Sequence, residues 1–383
     1  MPSLTYAAFK KWGKAIFFAF LLGCTMLGLL VCLFAAAEGA AYWLDRRSPA
    51  LNAPEEHQDK RELAPYLLLQ AEPNTAMKLS CPQPDGTSAP GEARINQYRF
   101  RYGDLTKKKP ENTLRIFLLG GSVVFNGSSN ETTISGYLED LLKKKFQGKG
   151  MNAQAVNAGM TAYISTQELI LLVTQIVDFD PDIVIVLDGY NDCLIPFSGQ
   201  DERLGYPYGF KTMEAAWYQT TAILKGMREF SLPSHLLYGS HFLRRINPNW
   251  SYSQALTARR MSRPSDETVE RASAASAAGL LAENWNKMKI VLKGKGIKGL
   301  FALQPLPKEG GVFTEFYDRV EAEIKEKPLD DPDCSFINLR PFLRDRLDLF
   351  YDEIHTYAEG NALYAERLLD VLEEKNWIPR ENE

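Results

Sequence analysis

The chain has 383 residues, 45% of them hydrophobic and 24% charged, with a formal net charge of −4. That is the profile of a folded globular protein with room for one large domain or two small ones, and it excludes disorder except at the edges. The faintly acidic balance also argues against a nucleic-acid binder, which usually clusters Lys and Arg on one face of a basic domain, so no nucleic-acid partner is expected.

Residues 1–14 carry Lys10, Lys11 and Lys14, and residues 15–37 (AIFFAFLLGCTMLGLLVCLFAAA) hold no charge. That run is long enough to cross a bilayer core as a helix, and the lysines before it place the N-terminus in the cytoplasm and the rest outside. Two rival readings are a cleaved signal peptide, from the small residues of FAAAEGA, and a lipidation box at Leu21-Leu22-Gly23-Cys24. Both fit less well, because a signal core is typically shorter and apolar sequence continues well past Cys24.

Residues 38–110, rich in Pro, Gln, Glu and Lys, read as a stalk and irregular extension. A domain is expected over 111–378. LRIFLLG, from Leu114, is an apolar run ended by Gly120-Gly121 and reads as a buried parallel strand. ISGYLEDLLKKKF follows with helical spacing at Ile134, Leu138, Leu141 and Leu142, and the run Lys143 to Lys145 reads as a solvated face. AQAVNAG is the next strand, TQELILLVTQIV a helix and PDIVIVLDG a third strand. AENWNKMKIVLKGKG (helix), IKGLFALQP (strand), EFYDRVEAEIKEK (helix), SFINL (strand) and AEGNALYAERLLDVLEE (helix) complete the series. Strands alternating with helices imply a parallel sheet covered on both faces, with sites beyond the C-terminal strand ends. Between about 194 and 280 the pattern breaks down, which predicts an insertion on that edge, a candidate lid or acceptor-binding element.

The strand ends carry chemistry. Ser122 follows the first strand, Gly159 the second and Gly189-Tyr190-Asn191-Asp192 the third, while Asp352 and His355 precede the last helix. Acyl transfer needs these parts: a serine nucleophile, a histidine to take its proton, a carboxylate to orient the ring, and donors for the oxyanion. Ser122, Gly159 and Asn191 are the candidate oxyanion donors. Taken singly, each group has a plainer reading as a helix cap or turn; the ordered set is what points to catalysis.

That set resembles the SGNH/GDSL hydrolase superfamily. RIFLLGGSVVFNG is similar to its nucleophile block, NAGMTAY to its glycine block, VIVLDGYND to its G-x-N-D block, and LFYDEIHTYAEGNALYAERL to its D-x-x-H block. The resemblance covers about Leu114 to Leu369, and the G-x-S-x-G elbow of a different hydrolase family is not matched, since Val124 stands two residues after Ser122. It implies a flavodoxin-like three-layer α/β/α fold, Ser122, Asp352 and His355 as the triad, and Ser122, Gly159 and Asn191 as the oxyanion hole. Two departures stand out. Gly121 occupies the place of the usual Asp, and Asn126-Gly127 the place of a glycine four residues after the serine. Asn tolerates left-handed backbone, so the turn is expected to survive, held at Asn126 or shifted by one position.

The expectation is a serine esterase or O-acyltransferase held in a bacterial inner membrane by one helix, with its catalytic domain periplasmic or extracellular. It would act on an acyl-ester substrate, with O-acetylated envelope or exported glycans among the candidates. The alternative is a non-catalytic glycan-binding or assembly component. No cofactor or metal is expected, because His57, His235 and His241 have no partner at metal spacing and no C-x-x-C occurs. Cys81, Cys193 and Cys334 allow at most one bridge, and no pair can be chosen. Trp217, Tyr218, Trp250 and Tyr252 of the insertion are aromatic enough to stack on sugars but more often such residues pack a core.

Overall fold

The computed structural model describes residues 3–47, 61–197, 240–247 and 267–378. They fall into two compact units, residues 1–56 with 217–259 and residues 57–216 with 260–383. In chain order the helices are α1 (Ser3–Arg47), α2 (Ser122–Phe125), α3 (Ile134–Phe146), α4 (Ser165–Thr174), α5 (Tyr190–Phe197), α6 (His241–Ile246), α7 (Glu267–Lys295), α8 (Gly311–Glu326) and α9 (Ala358–Glu374).

In the smaller unit, α1 contains the apolar run Ile16–Leu44, which by length and composition is able to cross a membrane. The Glu38 carboxylate on α1 accepts hydrogen bonds from the Ser240 hydroxyl (2.6 Å) and from the His241 and Phe242 amides (2.6 and 3.0 Å). Those amides open α6, where no helical carbonyl is available to them. Phe242 meets Phe34 edge to face at 6.1 Å.

The larger unit begins with two antiparallel hairpins, β1 (Arg61–Ala64) with β2 (Leu68–Ala71) and β3 (Thr75–Pro82) with β4 (Ser88–Ile95). A five-stranded parallel sheet follows: β5 (Thr113–Gly120), β6 (Asn152–Asn157), β7 (Ile183–Asp188), β8 (Lys298–Leu303) and β9 (Cys334–Asn338), in the order β6-β5-β7-β8-β9. Counted within the sheet this is 2-1-3-4-5, the flavodoxin-like order.

Period-2 side-chain alternation divides the core into two layers. Phe117, Leu119, Val184, Val186, Phe301 and Leu303 pack with α4, α7 and α8. Ile116, Leu118, Ile183, Ile185, Leu187 and Leu300 pack with α3 and α9. The result is a three-layer α/β/α sandwich.

Three sequence expectations are corrected. The segment expected to be irregular to residue 110 contains both hairpins, and its Leu67, Met77, Ile95, Phe100 and Leu105 are buried in the main core. Phe100 packs edge to face on Phe117 at 5.4 Å. The helix expected to start at Ala282 starts at Glu267, so Ala274, Ala277 and Ala278 are core residues rather than part of an insertion. The third concerns the lysine run on α3: Lys143 and Lys144 are exposed, but Lys145 is covered and pairs with Glu373 of α9 at 2.6 Å.

Candidate active site

The apolar run of β5 ends at Gly120, and Ser122 opens α2 directly after it. Gly121 holds the cap position, so the Ser122 hydroxyl does not cap the helix. It lies 2.7 Å from Nε2 of His355, 233 residues away in sequence. On the other side of the ring, Nδ1 of His355 lies 2.7 Å from the Asp352 carboxylate.

Asp352 and His355 share one short loop, closed at its base by an antiparallel bridge between Phe350 and Thr356 and by the Tyr351 amide donating to the His355 carbonyl at 3.0 Å. Within it, the other oxygen of Asp352 accepts the amides of Ile354 (2.9 Å) and His355 (2.8 Å). Burial alone pushes the Asp352 carboxyl up, but the His355 ring and these two amides outweigh it and hold the group below its usual value. The carboxylate therefore stays ionised against the imidazole. The Tyr351 ring lies parallel to that of His355, 5.6 Å away.

Asn191, in the first turn of α5, lies against the residue before Ser122: a β-carbon on Gly121 would collide with its side-chain nitrogen. Its amide nitrogen donates to the Tyr163 carbonyl at 2.8 Å, which fixes its orientation and leaves a second N–H. Gly159, after β6, packs so tightly under α2 that a β-carbon there would fall 2.8 Å from that of Val124. Its own N–H donates to the Asn157 side-chain oxygen at 3.0 Å. Asp192, beside Asn191, accepts the Ser165 hydroxyl at 2.6 Å and its amide at 3.2 Å, so it caps the start of α4 and ties the two loops together.

Asn126 does not hold a left-handed bend. Its backbone is extended (φ −60, ψ 143), and Gly127 carries the positive φ of 147°. The Asn126 side chain instead donates to the Thr356 carbonyl at 2.6 Å and accepts from the Tyr351 hydroxyl at 3.0 Å.

Three further residues that sequence reasoning missed hold the same turn. Arg101, only 2% exposed, donates to the carbonyls of Phe125 and of Gly127 (2.9 Å) and lies 4.9 Å over the Phe125 ring. Burial pulls its guanidinium down to about 10, still charged at neutral pH. Asn157 donates to the Val124 carbonyl at 2.7 Å, and Asn361 of α9 to the Thr132 carbonyl at 2.9 Å. The two asparagines lie inside the motif blocks, which was a usable signal. Arg101 had none.

Beneath Asn191 lie three buried carboxyls, Glu168, Asp188 and Asp192. Asp188 accepts the Trp285 indole N–H at 3.0 Å, and Asn284 donates to Ser165 at 3.0 Å. Burial raises all three groups, and the Asp188 charge raises Glu168 and Asp192 further. Among the described residues no N–H or O–H donor is directed at Glu168, which shares a hydrogen bond with Asp188. It is therefore the group best suited to keep its proton and donate it to Asp188.

Ser122 and His355 open on a cleft of about 840 Å³, walled on one side by Ser80 to Pro84 of the β3–β4 hairpin and on the other by Tyr351, Tyr357 and Glu359. Among the described residues no group of three His, Cys, Asp or Glu is placed to hold a metal. All five cysteines are described and are free thiols, Cys81 in the cleft wall and Cys193 and Cys334 buried. His57, His235, Trp217, Tyr218, Trp250 and Tyr252 lie outside the described residues. His241 lies within them, its ring edge to face with Tyr42 at 5.3 Å.

No family model matches the chain, and no curated protein does. Solved structures similar to it include a two-domain esterase active on acetylated mannans (12% identity, 71% of this chain and 51% of that chain, TM-score 0.38). A lipase from a goat rumen metagenome (11%, 67% and 96%, TM-score 0.41) and a GDSL-like lipase from Bacteroides thetaiotaomicron (11%, 68% and 88%, TM-score 0.33) are others. The chain spans about half the length of the first of these.

Proposed function

We propose that this chain is a serine esterase of the SGNH/GDSL type, or an O-acyltransferase working through the same acyl-enzyme, held to a membrane by α1. The observation that carries the reading is the relay from Ser122 through His355 to Asp352, two contacts of 2.7 Å each, opening on a cleft at the C-terminal edge of a parallel sheet.

In this reading Ser122 attacks the acyl carbonyl as its proton passes to Nε2 of His355, and the ionised Asp352 holds the opposite N–H and offsets the imidazolium charge. The oxyanion then faces the Ser122 amide, which opens α2 and has no helical acceptor, and the second N–H of Asn191. The Gly159 amide serves as a third donor by sharing its proton between Asn157 and the substrate oxygen. Protonated His355 returns the proton to the leaving alcohol, and the acyl-enzyme is resolved by water or by a sugar hydroxyl.

An extracytoplasmic domain meets acylated envelope or exported glycans more readily than cytosolic thioesters, which makes O-acetylated glycans the favoured substrate class. The test is a fluorophosphonate probe with a short-chain nitrophenyl ester. Ser122 should be labelled and the ester hydrolysed, and Ser122→Ala should abolish both. Hydrolysis at an unchanged rate in Ser122→Ala would refute the mechanism. No adduct on the folded wild-type protein would point to a binding domain instead. Product analysis with and without an oligosaccharide acceptor separates transfer from hydrolysis.

A further inference from the structure

We propose that Asn126 is a positioning residue that sets the separation between Ser122 and His355; this rests on the esterase reading above.

The nucleophile and the base come from loops far apart in sequence, the turn after β5 and the loop before α9. Asp352 and His355 are already fixed to one another by their own loop. The distance from His355 to Ser122 is not: it depends on how the two loops are held together.

Asn126, four residues after the nucleophile, spans that gap. It grips the partner loop at both ends of its base, Tyr351 just before Asp352 and Thr356 just after His355. A carbonyl can only accept, so the nitrogen of the Asn126 amide must face Thr356 and its oxygen must face Tyr351. Both halves of a rigid planar group are used, and they fix distance and orientation together. The backbone offers no rival account of this residue, because Asn126 is extended and the left-handed position belongs to Gly127. A glycine at 126 would make neither bond. An aspartate would keep the bond from Tyr351 but turn an acceptor toward the Thr356 carbonyl.

The experiment compares Asn126→Ala, Asn126→Asp, Tyr351→Phe and the Asn126→Ala/Tyr351→Phe double variant in the full-length protein in detergent. It reads kcat and KM on a short-chain nitrophenyl ester, the rate of fluorophosphonate labelling, and thermal melting. Misplacing the base by a fraction of an ångström should cost Asn126→Ala roughly 10–100-fold in kcat and in labelling rate, with KM nearly unchanged. Asn126→Asp should lose about as much despite its matching shape. The Tyr351→Phe loss should be smaller and should vanish in the Asn126→Ala background, as expected of groups acting through one contact.

Wild-type kcat and labelling in Asn126→Ala would overturn the proposal, as would additive losses in the double variant. If Asn126→Ala does not fold, Tyr351→Phe, which removes one oxygen, decides alone, and unchanged kcat and labelling overturn the proposal. Failure of the underlying reading looks different, since the wild-type protein would then carry no Ser122 adduct at all.

Discussion

A β-carbon built on Gly121 would collide with the side-chain amide nitrogen of Asn191. The residue before Ser122 and the amide of Asn191 compete for the same space, so the glycine at 121 is matched to this position of Asn191. Gly121→Ala should push the amide aside and act like Asn191→Ala, each lowering kcat by about 10²–10³ on the oxyanion account. The double variant should be little worse than either single one. Steady-state kinetics on a nitrophenyl ester checks this, and a Gly121→Ala enzyme with unimpaired kcat would remove Asn191 from the oxyanion hole.

Asp352→Asn keeps the shape of the acid but offers the imidazole a neutral partner in place of a charge. A loss of roughly 10⁴ in kcat is expected, by analogy with the same change in a serine protease triad. The folded carboxyl lies below its usual value, so the stability it contributes is present above the ordinary Asp value of about 3.9 and lost as pH falls through the folded one. Melting curves of wild type and Asp352→Asn should therefore differ at pH 7 and converge in strong acid.

The buried carboxyls under Asn191 have the opposite sign. Groups raised in the folded state contribute fully only below their unfolded values, about 4 for Asp and Glu, and that contribution is lost as pH rises through the folded ones. Glu168→Gln retains a donor toward Asp188 and cannot ionise. Its melting temperature should fall less steeply than the wild type's between pH 5 and 9. Parallel curves would mean that Glu168 does not carry the proton.

Arg101→Ala would leave the Phe125 and Gly127 carbonyls without their charged donor, a loss of about 1.5–3 kcal/mol for each hydrogen bond before any relaxation. Arg101→Lys should rescue little of it, because an ammonium cannot reproduce the fork that reaches both carbonyls. Chemical denaturation measures the stability loss, and kcat should fall with it if Ser122 is the nucleophile, because the same carbonyls end its turn.

The sheet was legible because its strands are buried on both faces: TLRIFLLG and IVIVLD read as continuous apolar runs. The same holds for α3 and α9, whose apolar residues recur at helical spacing. The hairpins were harder to read, because the alternation of Met77, Leu79 and Cys81 with Lys78, Ser80 and Pro82 is short, only Met77 of β3 is buried, and the run sits in a stretch rich in Pro, Gln and Gly. The start of α7 was hidden for a related reason, since its buried residues there are alanines among serines. Within the candidate site, Ser122, Asp352, His355 and Asn191 stand out by their order along the chain. Arg101 could not, because a lone arginine in a polar stretch looks like any solvated one, and its burial depends on long-range packing. The sequence marks Asn126 by the backbone tolerance of asparagine, whereas the structure uses its side chain.

The Phe350–Thr356 bridge makes Asp352 and His355, the acid and the base of the proposed triad, a single prefabricated part. Their alignment depends on a handful of consecutive residues and would survive considerable loosening elsewhere in the molecule. The gap between Ser122 and His355, in contrast, depends on the tertiary structure, because the two residues come from different loops. If the proposed triad operates, heat, denaturant or distant mutation should separate Ser122 from His355 while Asp352 and His355 stay aligned.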